Sequence, residues 1–313
     1  MRLFQTLDYV SGDFHNASIA IGNFDGLHLG HQVILNEARL DAKKRNAMTG
    51  LLTFEPHPRR YFNPQTEPFR LTLLKDKMRI LDHGEWDSLI ALPFDKTLAA
   101  TSASDFVFDL LISKLKAGSL FIGADFHFGA KREGTPALLQ ELAAKANLIV
   151  NIVPQLKDRK GIPFSSTYIR EALKAGDLVS AKSQLGRDWS LSGIVIKGDQ
   201  RGRQIGFPTA NIALGEYLVP AMGVYAIRTE WEGKWMNGVA NIGRRPTIGG
   251  SYPQLEIHVF DFDGDLYGQE LVVNLMDFIR PERKFPGLKE LKQQITEDGI
   301  KARSLLKTHN LAE

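Results

Sequence analysis

GNFDGLHLGH, residues Gly22–His31, is the stretch on which the reading of this chain turns. It follows the apolar run Ser18–Ile21 and leads into a helix-period segment, Gln32–Lys44, so it reads as a turn between a buried strand and a helix. Gly22, Gly26 and Gly30 permit the backbone angles and close approach that a phosphate-cradling turn needs. A helix N-terminus at that place aims N–H groups and a positive dipole end at an anion. His28 and His31, at i and i+3, can face one ligand and donate to its oxygens. No carboxylate or cysteine adjoins them at metal-ligand spacing, which favours phosphate over zinc. Fixed donors of this kind suit nucleotidyl transfer, in which charge builds on the α-phosphate as pyrophosphate departs. The competing reading is a glycine-rich turn with two surface histidines. A P-loop is excluded, because the chain has no GxxxxGK(S/T).

Ser18–Ile21, Gly50–Phe54, Ser88–Leu92, Ser119–Ile122 and Leu148–Val153 read as buried strands of four to six residues. Helical faces lie between them: Ile34, Ala38 and Ala42; Leu74 and Met78; Val107, Leu111 and Leu115. Strand–helix alternation predicts an α/β, Rossmann-like domain with a parallel sheet and helices on both faces. Ligands on such sheets bind at the carboxyl ends of the strands. Four segments qualify by position and composition: GNFDGLHLGH, EPHPRRYF, PFDKT and GADFHFG. Later, SSTYIREAL begins with Ser165, Ser166 and Thr167, which are either ordinary helix caps or, with Arg170 one turn on, a phosphate clamp.

The texture changes near Asp188. Gly193–Lys197, Val224–Glu230, Leu255–Phe260 and Leu271–Phe278 show partial period-2 patterns between Gly, Pro, Asn and Asp, the pattern of a small antiparallel barrel. A helix from Leu288 to about Leu306 closes the chain. The expected domains are therefore 1–185 and 186–313. GDQRGRQIGFPTAN (Gly198–Asn211) is glycine-rich and basic: a loop lying over nucleotide phosphates, or a basic hairpin touching RNA. Thr209 and Asn211 offer neutral oxygens that suit Mg²⁺ shared with ATP phosphates. In LEIHVF, Leu255, Ile257 and Val259 share one face, and Glu256 and His258 the other. Glu256 is then either part of a solvated strand face or a general base for a primary hydroxyl. NIGRRPT (Asn241–Thr247) reads as a pocket-lining loop or a turn with an arginine pair.

Composition bounds the rest. With 313 residues, 43% hydrophobic and 24% charged, the chain can bury two cores. A net charge of +3 gives no field to recruit nucleic acid or a membrane. There is no cysteine, hence no disulfide or thiolate chemistry, which suits a cytoplasmic setting. No segment has the continuous apolar length of a membrane helix, so a soluble protein is expected.

HxGH in GxFDGxHxGH, TFEPHP (Thr53–Pro58), GxxFxFG (Gly123–Gly129) and SSTxxR (Ser165–Arg170) occur in that order. Together they resemble the FMN adenylyltransferase module of the prokaryotic bifunctional riboflavin kinase/FAD synthetases. The second half resembles the riboflavin kinase module of the same family through GxxxGRxxGFPTAN, GVYA (Gly223–Ala226), NIGxRPT, ExHxxD (Glu256–Asp261), LYG (Leu266–Gly268) and FIRPERKF (Phe278–Phe285). The resemblance implies a six-stranded barrel behind the α/β domain, with riboflavin, FMN, FAD and ATP as substrates and products. It implies that His28 and His31 contact ATP phosphates, in a turn whose Gly22, Asp25, Gly26 and Gly30 also bind them. Ser166, Thr167 and Arg170 would complete that triphosphate site, and Phe54, His57 and Asp125 would line the nucleotide or flavin pocket. In the barrel it implies ATP under Gly198, Arg203 and Gly206, Mg²⁺ on Thr209 and Asn211, Arg245 toward the flavin, and Glu256 activating the riboflavin 5′-hydroxyl. Tyr168 and Pro163 depart from the residues, often basic, that family members carry there.

Overall fold

The computed structural model describes residues 1–7, 14–82, 86–198, 206–247 and 250–310, with backbone alone at 245–247, 250–252 and 310. The chain divides into two compact units, Met1–Thr66 with Leu73–Ser165, and Glu67–Thr72 with Ser166–Glu313. By packing, the change of unit thus falls between 165 and 166, ahead of the change in sequence texture at 185.

In the first unit, β1 (Arg2–Phe4), β2 (Ser18–Ile21), β3 (Thr49–Glu55), β4 (Ser88–Pro93), β5 (Ser119–Gly123) and β6 (Ile149–Val153) form one sheet. Their order is β1-β4-β3-β2-β5-β6 and every pairing is parallel. Strand alternation explains why both faces are covered. Ile19, Ile21, Leu52, Ile90, Leu92, Leu120 and Ile122 enter one apolar cluster, while Ala20, Leu51, Leu89 and Phe121 enter the other. The strand order runs outward in opposite directions from β2 and β5, so the crevice at their carboxyl ends is the topological switch point. Gly22–His31 follows β2 directly at that crevice.

The helix after it, α1 (Leu29–Arg45), begins three residues earlier than the predicted Gln32, because His28 caps it. Ile34, Leu35, Ala38 and Ala42 are its buried face, as the spacing predicts. Its far end is pinned to β2 and β5: Ser18 Oγ and Ser119 Oγ donate to Asp41 Oδ2 at 2.7 and 2.5 Å, and Arg45 Nη1 donates to Asp41 at 3.1 Å and to Ser119 Oγ at 2.7 Å. Burial raises the Asp41 pKa, but the bonds from Ser119, Ser18 and Arg45 outweigh it and leave the carboxyl below its usual range. The segment carrying Val107, Leu111 and Leu115 is wound as a π-helix over Phe106–Lys114, not an α-helix. Its three apolar residues are nonetheless fully buried.

The second unit carries helices Ser166–Lys174 and Leu178–Leu185, then β7 (Trp189–Ile194), β8 (Ala210–Ala213), β9 (Gly223–Trp231), β10 (Lys234–Thr247), β11 (Gly250–Val259) and β12 (Glu270–Pro281). All pairings are antiparallel, in the order β7-β12-β9-β10-β11-β8. The sheet curls until its edges meet, where the Ile196 N–H donates to the Asn211 carbonyl at 2.8 Å. NIGRRPT is not a loop or a turn but the end of β10, paired with β11 from Asn241↔Glu256 to Thr247↔Gly250. The terminal helix Leu288–Asn310 covers the barrel with Ala302 and Leu306 against Val224, Ala226, Val239, Met276 and Ile279.

A strap of six residues, Glu67–Thr72, belongs to this unit although it lies within the first unit's sequence. Arg70 N–H donates to the Glu216 carbonyl at 3.2 Å, and Leu218 N–H to the Arg70 carbonyl at 2.8 Å. The Trp189 indole N–H donates to the Leu71 carbonyl at 2.9 Å. Arg70 and Trp189 are both buried.

Two candidate phosphate sites

At the switch point the turn is held in an uncommon backbone. Phe24, Gly26 and Leu27 have φ of 47°, 89° and 45°. For Phe24 and Leu27 that left-handed conformation costs on the order of 1–2 kcal/mol each. Burial of both side chains, 2% and 1% exposed, offsets it. Lys77 of the helix Leu74–Asp82 donates to the Asn23 carbonyl at 2.6 Å, and Thr53 Oγ1 donates to the same oxygen at 3.2 Å.

The imidazoles stand side by side. His28 and His31 are stacked with centroids 3.5 Å apart, and Phe24 meets His31 edge-on at 5.3 Å. His28 Nδ1 accepts the His31 N–H at 3.2 Å, the N-cap bond of α1. That bond occupies the Nδ1 lone pair, so neutral His28 carries its proton on Nε2, the donor an anion needs. Gly30 leaves close room for the pair: a Cβ there would stand 3.2 Å from the His28 ring and 3.1 Å from the Phe164 Cβ, tight enough that one of them must shift by a few tenths of an ångström. Gly30→Ala is expected to push His28 aside and lower activity at this site about tenfold to a hundredfold. Kinetics with ATP, compared with thermal stability, will show whether the loss is local.

Asp25 is buried, at 3% exposure. Phe54, at the end of β3, is buried beside Phe94 (6.0 Å) and Phe106 (6.4 Å). Phe128 meets Phe106 at 5.3 Å and stacks with Phe126 at 5.7 Å, while Tyr61 and Phe62 edge onto Phe94. This aromatic run, drawn from three of the polar or glycine-rich segments, was not legible as one cluster. His57 is buried and caps the short helix Pro58–Phe62, accepting the Arg59 N–H at 3.1 Å. Asp125 is exposed just beyond β5.

Ser166 and Thr167 occupy the first turn of the helix Ser166–Lys174, in the second unit. In that unit Arg170 Nε donates to the Phe69 carbonyl at 2.9 Å, with its guanidinium 5.6 Å from the Phe69 ring centre. Arg170 thus fastens the strap.

In the barrel one row of side chains crosses three strands: Asn211 on β8 faces Glu256 on β11, which faces Asn241 on β10. Directly opposed residues lie side by side on one face. LEIHVF alternates as the sequence predicts, with Leu255, Ile257 and Val259 buried and Glu256 and His258 half-buried. Glu256, Asn241 and Thr209 open into a cavity of 330 Å³. Thr209 also borders a second cavity of 80 Å³, walled by Val195, Ile257, Phe262, Leu266 and Tyr267. Asn211 is 2% exposed and its Oδ1 has no hydrogen-bond partner among the described residues. A buried amide oxygen with that vacancy, next to a half-buried hydroxyl, fits a hard cation held partly by phosphate and water.

The outer wall of the larger cavity comes from Arg280, Arg283 and Phe285 of FIRPERKF, a segment the sequence marks without giving these residues a role, and from Asp298 of the terminal helix. Arg280 of β12 makes a bidentate bond to Asp298 of the terminal helix, Nε to Oδ1 at 3.0 Å and Nη2 to Oδ2 at 2.7 Å. Gln294 donates to Asp298 at 2.8 Å, and Arg280 and Arg283 lie over the Phe285 ring. Gly206 has φ of 90°, and Gly198 ends the described backbone. Arg203, and the side chain of Arg245, lie outside the described residues. Among the described residues no group of three His, Cys, Asp or Glu could hold a metal, and no helix is long and apolar enough to cross a membrane.

A glycine- and histidine-bearing turn at the switch point of a parallel sheet, followed by a barrel with a carboxylate beside a cation-fitting amide, fits a two-module phosphate-transfer enzyme. The FAD synthetase family model matches residues 11–168 and the riboflavin kinase model residues 185–306. The bifunctional riboflavin kinase/FMN adenylyltransferase of Haemophilus influenzae is 41% identical over 95% of this chain and 97% of its own. The enzyme of the same name from Escherichia coli is 42% identical over 91% of each. A crystal structure from Streptococcus pneumoniae, named as a macrolide-efflux protein, superposes with a TM-score of 0.81 at 30% identity, over 95% of this chain and 96% of its own. The chain belongs to the bifunctional riboflavin kinase/FMN adenylyltransferase family.

Proposed function

We propose that the chain makes FMN and then FAD at the two sites just described, each reaction an in-line displacement governed by positioning and charge. In the barrel, riboflavin enters the 330 Å³ cavity and Glu256 takes the proton of its 5′-hydroxyl as that oxygen attacks the γ-phosphorus of ATP, whose bond to the β,γ-bridging oxygen breaks to release ADP. Thr209 and Asn211 would hold Mg²⁺, which supplies charge neutralisation on the phosphates when bound. Thr209 borders both cavities, and Gly198, Arg203 and Gly206 are assigned to the ATP phosphates on the family resemblance. Arg245 is assigned to the flavin. The observation that carries this reading is the row Asn211–Glu256–Asn241, which sets a base beside a cation ligand on one sheet face.

At the switch point, an FMN phosphate oxygen attacks the α-phosphorus of ATP and pyrophosphate leaves. His28 Nε2–H, His31 and the α1 N-terminus stabilise the charge that develops, within the turn of Gly22, Asp25, Gly26 and Gly30. Phe54, His57 and Asp125 are assigned to the flavin and nucleotide side. Ser166, Thr167 and Arg170 are retained as triphosphate ligands on the family resemblance. A functional division at 185, with residues 1–185 for adenylyl transfer and 186–313 for the kinase, is supported by family models that match 11–168 and 185–306. A cysteine-free, ATP-consuming chain is assigned to the cytoplasm. Chromatography of riboflavin incubated with ATP and Mg²⁺ tests the scheme: FMN rises first and FAD replaces it. FMN without FAD, or no turnover, overturns it.

A further inference from the structure

Lys77 is fully buried, yet neither reaction uses it. Burying an ammonium is costly unless its hydrogen bonds do something a packed methionine cannot. The helix that carries it is set by its neighbour: Asp76, 1% exposed, accepts the Leu73 N–H at 3.0 Å. From that fixed helix the Lys77 ammonium reaches the Asn23 carbonyl at 2.6 Å and Thr53 Oγ1 at 3.2 Å. Asn23 is the residue immediately before the left-handed run at Phe24, Gly26 and Leu27, and five before His28. Two donors, Lys77 and Thr53, therefore converge on the one carbonyl through which the turn leaves β2.

We infer that Lys77 is a positioning residue for adenylyl transfer, holding the Gly22–His31 turn through the Asn23 carbonyl so that both imidazoles meet the ATP phosphates. The inference rests on the assignment of that turn to ATP. If Lys77 merely filled the core, its removal would lower stability and leave both activities per folded molecule intact. If it positions the turn, the loss falls on one activity and appears in kcat more than in KM, because the reacting groups are misplaced.

The test uses the full chain, whose riboflavin kinase activity reports folding of the other site in the same sample. Lys77→Met is expected to lower kcat/KM for FMN adenylylation about a hundredfold, mostly in kcat. Riboflavin phosphorylation should stay within about twofold, because Lys77, Asn23 and Thr53 all belong to the first unit and the barrel to the second. Lys77→Gln, which keeps a neutral donor, should recover about tenfold of that loss. Thr53→Val, which removes the second donor and preserves shape, should show a smaller loss of the same kind. Adenylylation within about threefold of wild type in Lys77→Met overturns the inference, as does Lys77→Gln no better than Lys77→Met, or equal loss of both activities. His28→Asn run alongside separates the two levels: if it too retains adenylylation, the assignment of the turn is wrong; if it alone loses it, only the role of Lys77 is.

Discussion

His28→Asn is expected to cut FMN adenylylation by about 10²–10³-fold, the usual cost of one transition-state donor, equivalent to roughly 3–4 kcal/mol. Asparagine is chosen because His28 has two tasks. Its Nδ1 caps α1 by accepting the His31 N–H, and Asn is itself a good N-cap. His28→Asn therefore keeps the helix start and removes the Nε2 donor. His28→Ala removes both, and should show the same catalytic loss together with a lower Tm. Riboflavin phosphorylation in the same preparations should be unchanged. A His28→Asn protein that still makes FAD from FMN at a wild-type rate would remove the histidine from the chemistry.

Glu256→Gln is expected to do the reverse. The side chain keeps its size beside Asn211 and Asn241 but cannot take a proton, so riboflavin phosphorylation should fall by about 10²–10⁴-fold, the range for a lost general base. The KM for riboflavin should change little, because the walls of the 330 Å³ cavity stay in place. FAD formation from supplied FMN should persist, so added FMN bypasses the lesion. Loss of both activities in a protein of normal Tm would overturn the assignment of the two reactions to separate sites.

What the sequence made legible follows from range. Each of the five predicted parallel strands is an apolar run bounded by turn residues, and each forms within a residue or two of its predicted ends. β1 escaped because three residues, Arg2–Phe4, carry no period. The π-winding of Phe106–Lys114 escaped for the opposite reason: its period brings Val107, Leu111 and Leu115 inward under either winding. NIGRRPT looked like a loop or a turn because asparagine, glycine and proline are depleted in strands, yet cross-strand pairing with β11 overrides that local preference. At the sites, His28, Glu256 and Asn211 were visible because their motifs are local. Lys77, Arg280 and Asp298 act through partners between 18 and 54 residues away in sequence, and no spacing rule marks such pairs.

The strap Glu67–Thr72 has a consequence for the order in which the molecule is made. Those six residues leave the ribosome early, but the carbonyl of Glu216, the N–H of Leu218 and the indole of Trp189 that bind them are synthesised more than a hundred residues later. During translation the nascent first half therefore carries a segment whose hydrogen-bond partners do not yet exist, including Arg70, which ends almost wholly buried. Closure of so long a loop is a late, entropy-limited event. No single cut yields two continuous pieces that each hold a whole unit, so the two catalysts are linked in their biogenesis as well as in their chemistry.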